Sequence, residues 1–90
     1  MKKTLDEIRR TIDEIDQEMA ILFLKRMEAV SEVAAYKKEH RQAVSDLKRE
    51  QELLKKNKQY LNQPDLERYY ERFFSGVLEA SKSYQEDLLK

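Results

Sequence analysis

The sequence predicts an all-α protein with three helices per chain, one long and two shorter, forming an intertwined dimeric helix bundle. Three observations predict it. One glycine and one proline in 90 residues, with abundant Leu, Glu, Lys, Arg and Ala, favour helix almost throughout. Apolar residues recur at gaps of three and four along most of the chain. The first apolar stripe is also too long for the rest of so short a chain to cover.

Thr4-Leu5-Asp6-Glu7 reads as a capping box, with Thr4 as N-cap and Glu7 at the third helical position. From there Leu5, Ile8, Ile12, Ile15, Met19, Leu22, Val30 and Val33 form one stripe, uninterrupted by proline or glycine before about Glu39. A helix of about 34 residues would be roughly 50 Å long. A second copy packed along it in a symmetric dimer is the simplest cover. His40 to Val44 then reads as a connection, with His40 exposed.

Ser45 or Asp46 caps a second helix running to about Tyr60, with a stripe of Leu47, Leu53, Leu54, Tyr60 and Leu61. Asn62-Gln63-Pro64-Asp65 breaks it, and Pro64 suits the first turn of a third helix. That helix carries Leu66, Tyr69, Tyr70, Phe73, Phe74, Val77, Leu78 and Leu88, whose aromatic rings read as core. Gly76 lies inside it, a mild cost that permits close helix packing. No repeat, low-complexity tract or second domain is visible, so residues 1–90 read as a single domain.

Eighteen basic and 18 acidic residues give a formal net charge of zero. Such a balance supplies no overall field for nucleic acid or an anionic membrane, so recognition of charge must be local. The absence of cysteine excludes disulfides, thiolate metal sites and thiol nucleophiles. His40, the single histidine, cannot build a metal cluster by itself. No signal-peptide pattern opens the chain and no segment approaches roughly 18 apolar residues, so a cytoplasmic protein is expected.

The informative feature is what interrupts the stripes. Arg26 stands where Leu22 and Val30 call for an apolar residue, Lys37 continues that face four residues beyond Val33, and Arg9 borders it beside Ile8. Glu50 falls between Leu47 and Leu53, and Ser81 and Gln85 continue the face of Val77 and Leu78. An unpaired charge facing a core costs several kcal/mol. Glu50 and Asp46 can satisfy one or two of Arg9, Arg26, Lys37 and Arg49, not all four. The remaining positive charge points to a bound anion, and two guanidinium forks suit two carboxylates. Periodicity alone does not name a reaction.

The order and spacing of these residues resemble the all-helical class of chorismate mutases over almost the whole chain. Leu5-x-x-x-Arg9-x-x-Ile12-x-x-Ile15-Asp16 is similar to the opening of that family's long helix. Leu22-x-x-x-Arg26 and Val33-x-x-x-Lys37 resemble its second arginine and its catalytic lysine. Val44-Ser45-Asp46-Leu47-Lys48-Arg49-Glu50 resembles its V-x-D-x-x-R-E signature, and Ser81-x-x-x-Gln85 the serine and glutamine of its last helix. Lys55 to Asp65 carries no such motif.

The resemblance implies an isomerase of the aromatic amino-acid (shikimate) pathway that converts chorismate, a dianion, to prephenate by a pericyclic (Claisen) rearrangement. No metal or cofactor is implied. By the same resemblance Arg26 and Arg9 each grip a carboxylate, Arg9 arriving from the other subunit of a homodimer. Lys37 and Gln85 donate to the ether oxygen of the breaking bond, and Lys37 also touches a carboxylate. Glu50 accepts from the ring hydroxyl with Asp46 nearby, Ser81 binds a carboxylate, and Arg49 completes the polar network. A partner enzyme of the pathway can still bind such a chain.

Two other readings compete. An isochorismate pyruvate-lyase uses the same scaffold, arginines, lysine and late glutamine, but lacks the second-helix signature, so Asp46, Arg49 and Glu50 favour the mutase. A non-catalytic helical interaction module explains the long stripe and the high charge, but not the interruption of three separate stripes in the family's order.

Overall fold

A reciprocal pair of hydrogen bonds starts the first helix. The Thr4 hydroxyl accepts from the Glu7 N–H at 3.2 Å, and the Glu7 carboxylate accepts from the Thr4 N–H at 3.3 Å, satisfying donors that a helix start leaves open. In this computed structural model, which describes residues 2–90, α1 then runs unbroken over Leu5–Glu39. Asp6 and Glu7 in its first turn and Lys37 and Lys38 in its last oppose the ends of the helix dipole. The chain turns away at Arg41, which takes a left-handed backbone with φ 54°. That conformation costs a residue with a Cβ about 1–2 kcal/mol. His40 is exposed and stacks on Tyr36, ring centroids 3.9 Å apart.

Of the two capping residues available to α2 (Leu47–Leu61), Asp46 is the one used. Its carboxylate accepts from the Arg49 N–H at 3.0 Å. Asn62 ends the helix in the left-handed region, where asparagine is the usual substitute for glycine. The third helix starts later than the position of Pro64 suggests. Pro64–Leu66 forms one 3-10 turn, closed by the Leu66 N–H on the Gln63 carbonyl at 3.0 Å, and α3 covers Glu67–Leu88. Proline's fixed φ and missing N–H suit the head of such a turn. No strand is present among the described residues.

Helix α3 lies along the second half of α1 in the same direction, with Arg26 over the Phe74 ring and donating to Ser81. Helix α2 runs back along α3, tied at its start by Glu50 to Lys82 and near its end by Lys58 to Glu71. The buried core is small: Val30, Ala34 and Phe74, joined by Ser81 and Gln85. Tyr70 stacks on Phe74 with centroids 5.6 Å apart, while Tyr69 and Phe73 stay exposed. Gly76 does not serve a close approach within the chain, because a Cβ added there would meet nothing within 4 Å.

The first half of α1 is left open, with Leu5, Ile8, Ile12, Ile15 and Met19 all exposed. The chain measures 58 × 26 × 15 Å with a radius of gyration of 16.5 Å, against about 12 Å for a compact domain of this length. Its accessible surface is 7965 Å², against about 5,600 Å² for a monomer of this mass. The exposed apolar residues of α1, with Tyr69 and Phe73 of α3, contribute to that excess.

Candidate active site

All three helices contribute to one cavity of about 400 Å³. Ala29, Val30, Val33, Leu53 and Leu78 give it apolar walls. The polar groups arrive in sets fixed by helical geometry. Arg26 and Lys37 on α1 are separated by close to a whole number of turns and so share a face. Asp46, Arg49 and Glu50 come from the start of α2. Ser81 and Gln85 on α3 stand one turn apart, with Lys82 between them.

Each helix also holds its polar groups in place. The Arg26 guanidinium donates to the Ser81 hydroxyl, which donates in turn to the Val77 carbonyl at 2.9 Å. The Lys37 ammonium donates to the Val44 carbonyl at 2.7 Å, so the connection before α2 anchors the end of α1. Glu50 pairs with Lys82 at 2.7 Å. Ser81 and Gln85 are buried, and Gln85 Oε1 has no hydrogen-bond partner.

Four cations, Arg26, Lys37, Arg49 and Lys82, face two carboxylates, Asp46 and Glu50, across this cavity. The balance is a net charge of two positive units. Among the described residues, none of Arg26, Lys37 and Arg49 has an ion-pair partner. The walls hold neither histidine nor cysteine, so the chain's own side chains here are suited to holding and orienting negative charge. No group of three or more His, Asp or Glu side chains suited to a metal ion occurs among the described residues. Among the described residues, no helix is long and apolar enough to cross a membrane.

Seven of the eight candidate residues thus line one cavity: Arg26, Lys37, Asp46, Arg49, Glu50, Ser81 and Gln85. Arg9 is not among them. It lies on the exposed first half of α1, about 25 Å along the helix from Arg26. Lys82 is the charged cavity residue that the sequence does not single out, its one signal being its place four residues after Leu78. A second groove of about 520 Å³ runs beside the cavity, walled by Met19, Ala20 and Phe23 of α1 and Tyr70, Phe73 and Val77 of α3.

The family model described as chorismate mutase type II matches residues 8–86. The chain belongs to the chorismate mutase type II family. That match reaches into all three helices and includes every candidate residue. It supports chorismate mutase activity, an intramolecular isomerisation, and does not favour the lyase or the non-catalytic module. No curated protein and no solved structure gives a significant match.

Proposed function

We propose that the cavity between α1, α2 and α3 holds chorismate in its folded conformer and carries it to prephenate, as one of two sites in a homodimer. The carrying observation is the unpaired charge of Arg26, Lys37 and Arg49 around one cavity. A dianion of suitable size answers it, and the substrate is one. Guanidinium groups match carboxylates in shape as well as charge.

The reaction breaks an ether C–O bond as a C–C bond forms within the same molecule, so no proton or nucleophile is exchanged with the protein. The protein's tasks are to hold the side chain over the ring and to stabilise negative charge growing on the ether oxygen. Arg26 grips one carboxylate and the partner's Arg9 the other. Lys37 uses one of its three hydrogens on Val44, leaving two for the ether oxygen and a carboxylate. Gln85 supplies the second donor to the ether oxygen. Its unsatisfied Oε1 marks a buried amide with hydrogen-bonding capacity to spare, and a half-turn of the amide exchanges oxygen for N–H. An orphan of this kind costs about 1–3 kcal/mol until it finds a partner.

Glu50 accepts from the ring hydroxyl. Asp46 stands beside it, with one oxygen committed to the helix cap and the other open. Ser81 turns its hydroxyl from Val77 to a substrate carboxylate, and Arg49 closes the polar ring. The dimer reading draws its support from the open stripe on α1, the excess surface and the distance of Arg9 from its own cavity. The reaction belongs to aromatic amino-acid biosynthesis in the cytoplasm. The test is to incubate the purified protein with chorismate and identify the product. Prephenate is expected, no turnover overturns the reading, and salicylate with pyruvate from isochorismate turns it toward the lyase.

A further inference from the structure

Lys82 is the one charged group on the cavity wall that the mechanism above leaves without a task. Its ammonium lies 2.7 Å from Glu50 Oε1, the two side chains being 32% and 18% exposed. This is the one ion pair among the described residues that is formed between groups lining the cavity. It spans two helices, from the first turn of α2 to the last third of α3.

We propose that Lys82 is a positioning residue that fixes the Glu50 carboxylate against the cavity wall and offsets its charge, so that Glu50 receives the substrate's hydroxyl without repelling its carboxylates. The inference rests on the task assigned to Glu50 above. A dianion entering this cavity meets two carboxylates. Asp46 is exposed and shares its charge with the α2 cap, so water and backbone moderate it. Glu50 is the less exposed of the two, and screening by water is weaker there. With Oε1 held by Lys82, Oε2 is left to accept a hydroxyl hydrogen.

Lys82→Met in the full-length protein removes the charge and keeps most of the side-chain volume. Its KM for chorismate should rise about tenfold while kcat stays within about threefold, the pattern of lost uniform binding. Lys82→Arg, which keeps the cation, should restore KM to within about threefold of the original protein. The decisive variant adds Glu50→Gln to Lys82→Met. A neutral amide needs no counter-charge and does not repel the substrate, so in the Glu50→Gln background, whatever the KM of that variant alone, Lys82→Met should change KM by less than about twofold. If Lys82→Met raises KM as much in that background as in the original protein, Lys82 acts on substrate directly and the proposal is overturned. If Lys82→Met lowers the melting temperature but leaves KM unchanged, the pair only ties α2 to α3 and the proposal is equally lost. Lys82→Gln, measured in parallel with helicity checked by circular dichroism, carries the same expectation. Failure of the mutase reading would appear separately, as no turnover by the unsubstituted protein.

Discussion

The two halves of α1 share one apolar rhythm and end in opposite environments. From Arg26 to Lys37 α3 covers much of the stripe: Val30 and Ala34 are buried, Val33 stays 44% exposed at the cavity wall, and the cations that flank them, Arg26 and Lys37, border the same cavity. From Leu5 to Met19 the stripe is open, with Ile8, Ile12 and Ile15 between 44% and 49% exposed. Periodicity tells that a helix has an inner face, and something else tells what covers it. In the closed half the cover comes from the same chain, and polar residues in the stripe become a site. In the open half Ile8, Ile12 and Ile15 are left uncovered by the described residues of the same chain, and Arg9 sits beside an apolar seam.

The sharpest way to break this contrast is to disable the closed half. Lys37→Ala removes the cation assigned to the breaking bond and should lower kcat about 10²–10³-fold, with far-ultraviolet circular dichroism unchanged. Initial rates of chorismate loss check it. Near-normal turnover would mean that the chemistry lies elsewhere.

The next test attacks the open half. Ile12→Asp combined with Ile15→Asp places two carboxylates on the seam. In a free chain, substitutions at such exposed positions change stability by only about 0.5 kcal/mol. In a dimer each new charge is buried without a partner and costs several kcal/mol. Sedimentation velocity should therefore show a monomer, and activity at micromolar protein should fall by roughly tenfold or more because the partner's Arg9 is lost. An unchanged dimer would show that the seam faces water.

A third experiment joins the halves. If each site takes Lys37 from one chain and Arg9 from the other, Arg9→Ala and Lys37→Ala chains refolded together restore one intact site in each mixed dimer. Random mixing makes about half of all dimers mixed, so activity should recover to about a quarter of the original. Were Arg9 to serve its own chain's cavity, every site would keep a defect and activity would stay at the level of the separate variants.

How much of this is legible in the sequence depends on whether the cause is local. The start of α1 is legible because Thr4 and Glu7 satisfy each other across one turn. The choice between Ser45 and Asp46 is not, since both can accept from the same backbone, and the fold uses Asp46. Ser81 and Gln85 are legible only in company: they continue the face of Val77 and Leu78 while Arg26, Lys37 and Glu50 interrupt the stripes of the other helices, and both are buried. Lys82 is not: a lysine on the flank of a stripe reads as a solvated side chain, and only the approach of Glu50 from another helix gives it a partner. Gly76 fails for the related reason that a missing Cβ does not say which neighbour, if any, comes close.

That glycine supplies the smallest and last test of the contrast. It lies beside Val77 and Phe74, which wall the apolar groove adjoining the open half of α1. Within one chain a Cβ at Gly76 meets nothing. Gly76→Ala should then stabilise the helix by about 0.5–1 kcal/mol, read as a rise of roughly 2–8 °C in Tm. A fall in Tm that becomes larger at higher protein concentration would place the partner's backbone over Gly76. The seam would then extend from α1 onto α3, and the glycine would be the residue that lets the second copy come near.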